Sequence, residues 1–360
     1  MDDEIILGLD KARAGKIRDA SKVHTLAELD TVIQYYQTTI PEIDFSLGGI
    51  PRGCTIQMAG DFGAGKTTLC AHCVVGALSL LPDNCKVGFQ DFECRLNLGL
   101  VRNLCKQYDI NPERFLFQQP ASGDEGLQTM LEWIDDENVV ILVGDSLKAI
   151  VPAASVERDM NKNAQMMANQ RLVNEFFERI LARVKHLNKS LIFIDHLKKV
   201  QKQGLSFPIW ETTSGLAAKF YSSARWFLKK KQPITKTKKG EALPIGTNLE
   251  IQVKKTTVSP MGSFPLTLYY GRGVSSYRWY IEKAIEHGYM ELNGKKWFVI
   301  GKDKTAKEIA STTPQLRRWV TGEGAKVWQK IVKAIRTKES KAFNDQLTAD
   351  PEIFDGEFKL

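Results

Sequence analysis

Apolar runs of strand length alternate with segments of helical periodicity over most of this chain. The runs predict strands at 31–38, 55–59, 86–91, 115–117, 139–144 and 191–194. A helix is predicted from Leu69 to Leu81, directly after the second run. Strands that alternate with helices are typical of a parallel sheet whose crossovers are helical. The pattern therefore predicts an α/β fold with a mainly parallel central sheet and flanking helices.

The two ends of the chain differ from this alternating centre. Residues 1–35 predict a charged N-terminal helical arm, which either packs on its own domain or docks on a neighbouring subunit for oligomerisation. Residues 36–274 form the predicted core. Residues 275–338 predict a small α+β domain that ends in an amphipathic helix at 326–338. Residues 339–360 form an acidic tail with six acidic and two basic side chains.

A glycine-rich stretch between the second strand and the following helix fits the pattern G-x-x-x-x-G-K-[ST]. Its residues are Gly60, Asp61, Phe62, Gly63, Ala64, Gly65, Lys66, Thr67 and Thr68. A turn that leads from a strand to a helix N-terminus offers unpaired N–H groups and the helix dipole to a polyphosphate. Lys66 would reach the β- and γ-phosphates, and the Thr67 hydroxyl would complete a Mg²⁺ shell. The stretch predicts a nucleotide-phosphate site.

Polar residues follow three of the later strands. Glu93, Asp145 and His196 all fall at carboxyl ends of strands, where open α/β sheets bind ligands. Glu93 is either the general base that activates water or a solvent-facing turn residue. Asp145 is either a magnesium-site carboxylate or a helix N-cap, and His196 either senses the γ-phosphate or is structural. Hydrolysis of ATP is the reaction that this set predicts.

Composition narrows the class of protein. The chain has 360 residues, of which 43% are hydrophobic, so it can bury one large core. No apolar run approaches the roughly 20 residues of a membrane span, and the start of the chain is not typical of a secretory signal, so we expect a cytoplasmic protein. The net charge of +8 favours an anionic polymer as partner, although a solvated basic surface is the alternative.

The six cysteines all lie in the first third of the chain at irregular spacing, which argues against a disulfide framework. Cys70, His72 and Cys73 lie together on the helix after the phosphate loop. No second pair stands at zinc-ligand spacing, so buried thiols are favoured over a metal site.

From about residue 38 to about residue 300 the chain resembles the RecA-type recombinases, and in particular their phage UvsX branch. The motifs that carry the resemblance stand in the family's order, at 46–53, 60–67, 89–93, 119–123, 143–146, 194–196, 211–215, 219–225 and 269–273. The resemblance implies a RecA-like P-loop ATPase core at 36–274, with ATP and Mg²⁺ as cofactors. A phage-encoded member would act in the host cytoplasm or nucleoid.

The resemblance also implies roles for single residues. Glu93 falls at the position of the catalytic glutamate and Asp145 at that of the Walker B aspartate. His196 falls where the family has a glutamine, or in the phage branch a histidine, that couples nucleotide to DNA. Leu100 falls where the family often stacks an aromatic ring on adenine, so the nucleobase contact departs from the family pattern.

The resemblance also implies that two lysines contribute to an active site shared between neighbouring subunits. Lys254 and Lys255 lie in the strand, 249–258, whose lysines in the family reach the γ-phosphate of the neighbouring subunit. Thr257 replaces the second of the family's lysines. An exposed strand edge is the alternative interpretation of this segment.

The two DNA-binding loops of the family correspond here to 156–168 and 197–215. Cations in such loops neutralise phosphates and aromatic rings stack on bases, although a basic loop can also be merely solvated. The predicted DNA-binding residues are Arg158, Lys162, Arg171, Lys198, Lys199, Lys202, Phe207, Trp210, Thr212, Thr213, Ser214 and Gly215. The basic run 225–239 is either a solvated hairpin or a secondary site for duplex DNA, and the acidic tail is either disordered or competes with DNA.

The resemblance thus implies an ATP-dependent recombinase and DNA-dependent ATPase that forms filaments on single-stranded DNA. It would promote homologous pairing and strand exchange with duplex DNA, assisted by single-strand-binding and mediator proteins. A hexameric RecA-fold helicase and a nucleotide-gated, DNA-coating filament without strand exchange are the alternatives.

Overall fold

The computed structural model describes residues 33–153, 162–201, 209–238, 241–301 and 304–348. The predicted N-terminal arm lies almost wholly outside these residues, as does the end of the acidic tail. The chain divides into two compact units. Among these residues, those at 33–40 and 48–274 belong to the large unit, and those at 41–47 and 275–348 belong to the small unit.

The elements up to residue 274 mix strands with helices, and from residue 224 onwards they are strands only. In chain order they are β1 (Tyr35–Tyr36), α1 (Pro41–Leu47), β2 (Ile50–Pro51), β3 (Cys54–Gly60), α2 (Lys66–Leu78), β4 (Lys86–Asp91), α3 (Leu98–Gln107), β5 (Phe115–Gln118), α4 (Gly123–Asp135), β6 (Val139–Asp145), α5 (Lys162–His186), β7 (Ser190–Val200), β8 (Ile209–Thr212), α6 (Gly215–Tyr221), β9 (Ala224–Lys238), β10 (Glu241–Thr256), β11 (Ser263–Tyr269) and β12 (Gly273–Val274).

One sheet organises the large unit. Its strand order is β12-β11-β10-β9-β3-β7-β6-β4-β5, with β8 paired to β7 outside this path. The strands from β9 through β3 to β5 are parallel, whereas β9 to β12 form an antiparallel extension. The predicted α/β fold with a mainly parallel central sheet is confirmed.

The parallel strands form because both of their faces are covered. Every residue of β3 is buried, and so is nearly all of β6, as expected for continuous apolar runs between helical layers. Phe176 and Phe177 of α5 pack against Phe193 of β7 at ring-centroid distances of 5.9 and 5.1 Å. This cover holds the carboxyl ends of the strands in fixed register.

Several predicted segments differ in extent from the structure. The first predicted strand, 31–38, is reduced in the described residues to Tyr35–Tyr36. β7 continues past the predicted end at Ile194 to Val200, because Leu197–Val200 pair antiparallel with β8. The basic run 225–239 forms most of β9, which pairs with β10 as a long antiparallel hairpin.

The small unit contains α1 and the rest of the described chain. Its further elements are α7 (Tyr277–Glu286), β13 (Met290–Asn293), β14 (Lys296–Ile300), β15 (Ala306–Ala310), α8 (Thr313–Thr321) and α9 (Ala325–Thr348). Phe45 of α1 stacks on Trp279 of α7 with ring centroids 5.6 Å apart. The last helix runs ten residues past its predicted end at Lys338, and Glu339 in that extension accepts from His287 at 2.7 Å and pairs with Lys283 at 3.2 Å.

Two expectations about composition can be compared with the described residues. None of their helices has the length and apolar character of a membrane span. No group of three or more His, Cys, Asp or Glu side chains among them could hold a metal ion, and Cys70 and Cys73 are buried free thiols.

The contact between α2 and the chain before it provides a stability test. A Cβ at Gly76 would lie 2.0 Å from the Thr38 carbonyl oxygen, a backbone atom that cannot rotate away. We expect Gly76→Ala to lower the free energy of unfolding by about 1–3 kcal/mol, the usual cost of overpacking. Gly262→Ala, whose Cβ meets nothing within 4 Å, is the matched control and should leave it unchanged. Thermal unfolding of both variants measures the difference, and equal melting temperatures would contradict this packing.

Candidate active site

The strand register brings the predicted site residues to one edge of the sheet. Gly60, at the end of β3, is the register partner of His196 in β7. Asp91, at the end of β4, is the partner of Asp145 at the end of β6. The phosphate loop, the predicted magnesium carboxylate and the predicted γ-phosphate sensor therefore lie at neighbouring strand ends.

The phosphate loop connects β3 to α2 through left-handed glycines. Gly63 and Gly65 have φ of +68° and +75°, values that side chains rarely tolerate. A Cβ at Gly65 would also approach Leu268 to 2.9 Å, whereas the space around Gly63 is open. Because α2 begins at Lys66, its first N–H groups have no partner within the helix. The loop is thus an open cradle in front of a helix N-terminus, which fits a polyphosphate.

Lys66 is folded back on its own loop. Its Nζ donates to the carbonyl oxygens of Gly60 and Asp61 at 3.1 and 3.0 Å, and the residue is buried. Burial lowers the pKa of Lys66, while the carboxylates of Asp145 and Glu93 act in the opposite direction. The ammonium group is therefore held at the loop by weak acceptors that phosphate oxygens would replace with stronger ones.

Thr67 and Asp145 face each other across the ends of α2 and β6. Thr67 Oγ1 donates to Asp145 Oδ2 at 2.5 Å. Burial raises the pKa of Asp145 to about 6, and the nearby charges of Glu93 and Asp91 add to this effect. A hydroxyl and a carboxylate are the hard oxygen donors that Mg²⁺ prefers, so this pair fits the predicted metal site.

Glu93 is held by two hydrogen-bond donors and one ion pair. Its Oε1 accepts from Ser146 Oγ and lies 2.7 Å from His196 Nε2, and Arg95 Nη1 lies 3.6 Å from its Oε2. The hydrogen bond from His196 is the largest cause that lowers the pKa of Glu93 to about 2, and burial opposes it. A carboxylate held in this way is a weak base, so it must lose donors before it can take a proton from water.

Asp195 lies within the 194–196 motif, although the sequence predicts no role for it. Its side chain is wholly buried. It accepts from Gln57 Nε2 at 2.8 Å, from Thr213 Oγ1 at 2.9 Å and from Ser214 Oγ. The N–H of His196 also donates to it, at 2.7 Å. A polar residue inside a buried apolar run is the sequence signal that could have pointed to Gln57 and Asp195.

Arg225 completes this buried network from β9. Its Nε donates to Gln57 Oε1 at 2.6 Å, and its Nη2 lies 3.5 Å from Thr212 Oγ1. Burial lowers the pKa of Arg225, and the charge of Asp195 opposes that shift. Strand β3, strand β9 and the segment after β8 are thereby joined around one carboxylate.

The described part of the second predicted DNA loop is a β-hairpin. Lys198 and Lys199 of β7 pair in register with Glu211 and Trp210 of β8. Both lysines and Trp210 are exposed, and Lys199 Nζ lies 5.2 Å from the centroid of the Trp210 ring. In contrast, Thr212, Thr213 and Ser214 are half-buried and turned into the Asp195 network.

The other predicted DNA-binding residues are less informative. Arg158, Lys202 and Phe207 lie outside the described residues. Lys162 begins α5, Gly215 begins α6, and Arg171 is exposed on α5.

Three further predicted residues have defined surroundings. Leu100 is 3% exposed in α3, so its side chain is buried, and its contact with the nucleobase stays a prediction. Lys254 is exposed on β10. Lys255 Nζ donates to the carbonyl oxygens of Phe220 and Lys219 at 3.0 and 3.4 Å, at the end of α6.

The fold and the site together define a P-loop nucleotide-binding protein of the α/β class. Comparison with known proteins extends this assignment. A family profile described as the RecA N-terminal domain matches residues 21–275. Protein RecA of Citrifermentans bemidjiense is 31% identical over 265 residues, which cover 73% of this chain and 74% of that protein. Protein RecA of Rickettsia bellii is 27% identical over 316 residues, covering 87% and 86%.

This chain belongs to the RecA family of recombinases. Members of the family are DNA-dependent ATPases that use ATP and Mg²⁺, bind single-stranded DNA and form filaments. The nearer resemblance to the phage UvsX branch stays a prediction.

The two site carboxylates predict opposite pH effects on stability. The folded pKa of Asp145, about 6, lies above its reference value of 3.8. Stability should therefore fall as pH rises from about 4 to 6 and stay reduced above that range, by about 3 kcal/mol for a shift of two pKa units. In chelator and without nucleotide at pH 7.5, Asp145→Asn should unfold at a higher temperature than the native chain, and the difference should vanish near pH 4.

Glu93→Gln is the control with the opposite sign. The folded pKa of Glu93, about 2, lies below its reference value of 4.5, so its contribution is present above pH 4.5 and is lost as pH falls towards 2. Glu93→Gln should therefore unfold at a lower temperature than the native chain at pH 7.5. An Asp145→Asn variant that is the less stable of the two would contradict the assigned environments.

Proposed function

We propose that this protein is an ATP-dependent recombinase that assembles on single-stranded DNA and pairs it with homologous duplex DNA. One observation carries the proposal: of two adjacent residues of β7, one contacts the predicted catalytic site and the other contacts the predicted DNA-binding hairpin. His196 contacts the Glu93 carboxylate, and Asp195 holds the segment after β8 at the base of a basic, aromatic hairpin. Strand β7 would thus link the site of ATP hydrolysis to the site of DNA binding.

The residues of the site divide the chemistry of ATP hydrolysis between them. The loop from Gly60 to Thr68 would bind the phosphates, with Lys66 turned from its own carbonyl groups to the β- and γ-phosphates. Thr67 and Asp145 would hold Mg²⁺, which when bound supplies charge neutralisation of phosphoryl oxygens. Glu93 would orient water and take its proton once His196 and Ser146 release the carboxylate.

DNA contact would be the event that releases Glu93. Lys198 and Lys199 would neutralise backbone phosphates, and Trp210 would stack on a base. A shift of the hairpin would act on Thr213 and Ser214, whose hydroxyl groups are bound to Asp195. Because His196 follows Asp195 directly, its ring would turn from Glu93 towards the γ-phosphate, and the pKa of Glu93 would rise.

The remaining predicted parts would serve assembly. The arm at 1–35 would dock on a neighbouring subunit, and Lys254 and Lys255 would approach the nucleotide of that neighbour. Lys255 would first leave the carbonyl groups at the end of α6. The hairpin of β9 and β10 and the domain at 275–338 would contact duplex DNA, with single-strand-binding and mediator proteins as further partners in the cytoplasm.

The ATPase rate as a function of protein concentration, with and without single-stranded DNA, tests this proposal. We expect a rate that DNA stimulates, that rises cooperatively with protein and that weakens at higher salt, because phosphate contacts release counterions. Lys66→Ala should abolish the ATPase rate. Lys106 is an exposed lysine in the last turn of α3, and Lys106→Ala should leave the rate unchanged. A rate indifferent to DNA at both salt concentrations would contradict the proposal.

A further inference from the structure

Arg95 is held beside the catalytic carboxylate by a braced turn. Cys94 adopts a left-handed φ of +54°, and its N–H donates to the Asp91 carbonyl oxygen at 3.4 Å. The N–H of Leu96 donates to Asp91 Oδ2 at 2.9 Å, and Leu96 is buried. The backbone on both sides of Arg95 is therefore fixed to the end of β4.

The guanidinium of Arg95 lies between the catalytic carboxylate and the phosphate loop. Its Nη1 is 3.6 Å from Glu93 Oε2, and its Cζ is 6.0 Å from the centroid of the Phe62 ring. The Arg95 side chain is 63% exposed, and Phe62 is 80% exposed. An exposed arginine on a fixed backbone, with one weak ion pair and one weak ring contact, is free to exchange these partners for a stronger anion.

The charge around the phosphate loop makes such an exchange favourable. Burial lowers the pKa of Lys66, and the negative charges of Asp145, Glu93 and Asp195 oppose that shift, so carboxylates already lie near its ammonium group. A γ-phosphoryl group placed there adds further negative charge, which spreads over its oxygens in the transition state. Arg95 is the cation that the turn after β4 supplies next to Glu93, from the same chain.

We infer that Arg95 is a catalytic residue that acts within its own subunit: it leaves Glu93 and binds the γ-phosphoryl oxygens of the nucleotide held by the adjacent phosphate loop. This inference rests on the proposed ATPase function. Arginine suits the role because its planar fork binds phosphate oxygens in pairs and stays charged. The same movement removes the ion pair that helps to hold Glu93, so charge stabilisation and release of the base coincide.

The test compares a ground-state ligand with a transition-state mimic. The affinities of the full chain for ADP with Mg²⁺, and for ADP with Mg²⁺ and aluminium fluoride, are measured for the native chain, Arg95→Ala and Arg95→Lys. We expect Arg95→Ala to weaken binding of the mimic by roughly 10²-fold and that of ADP by less than about twofold, because the contact forms only in the transition state. Arg95→Lys should recover part of the loss.

Arg102→Ala is the matched control, since Arg102 is an exposed arginine on α3, the helix that follows the same turn. It should leave both affinities unchanged. The kcat of DNA-stimulated hydrolysis in Arg95→Ala should fall by the same factor as the affinity for the mimic, with little change in KM.

Repeating the comparison in a Glu93→Gln chain distinguishes direct contact of Arg95 with the phosphoryl group from an effect of Arg95 on the orientation of Glu93. If Arg95 acts only by orienting Glu93, Arg95→Ala will not weaken mimic binding further in a Glu93→Gln chain. The inference predicts that the loss persists in that background. Unchanged mimic affinity, or an equal loss for ADP and mimic, would overturn it. Failure of the proposed function gives a different result, since the native chain would then show no hydrolysis that DNA stimulates.

Discussion

The buried carboxylate of Asp195 is the constraint on which the site depends. A charge without solvent is costly unless hydrogen bonds surround it, and removing a partner from such a group is strongly unfavourable. Its four donors come from β3, from β7 itself and from the segment after β8. The hairpin and the sheet edge are therefore tied together, because a change at Thr213 or Ser214 alters the acceptor that holds the backbone of His196.

The same edge shifts the pKa values of two carboxylates in opposite directions. Glu93 has two hydrogen-bond donors, an ion pair and a low pKa, whereas Asp145 is buried with one hydroxyl donor and a raised pKa. Neighbouring carboxylates with separated pKa values are typical of sites in which each has its own role. Here the separation fits a base that is restrained until it is needed and a metal ligand whose burial is relieved by a cation. The acidic surroundings of Lys66 fit the same division, since they favour cations beside the phosphates.

Local sequence patterns predict much of this arrangement. The strand at 86–91 has the predicted bounds, and the phosphate loop follows its strand as its pattern requires. These features depend on apolar runs and on glycines in a short window. The predicted residues Glu93, Asp145 and His196 meet because parallel strands of one sheet end together, which is a property of the fold class.

What the sequence does not predict depends on contacts between distant segments. β7 extends through Lys198 and Lys199, which look like loop residues until the pairing with β8 is seen. α9 passes Lys338 because Glu339 meets His287 and Lys283 from another helix.

The burial of Leu100 and the hydrogen bonds of Asp195 likewise depend on contacts between distant segments, so the family motifs do not predict them. The side chain of Leu100 is buried on the apolar face of α3, a burial that depends on the helices and strands packed against it. The partners of Asp195 lie far from it in sequence, with Gln57 on β3 and the hydroxyl donors after β8. Only the folded chain shows that one residue joins them.

The most direct test of the coupling is the affinity for single-stranded DNA with and without a non-hydrolysable ATP analogue, in the native chain and in Asp195→Asn. The ratio of the two affinities measures the coupling free energy between the sites. We predict that the analogue raises DNA affinity of the native chain roughly 5- to 150-fold, the usual range for coupled sites. In Asp195→Asn the ratio should fall towards one, while affinity for the analogue without DNA is retained. An unchanged ratio in that variant would contradict the account.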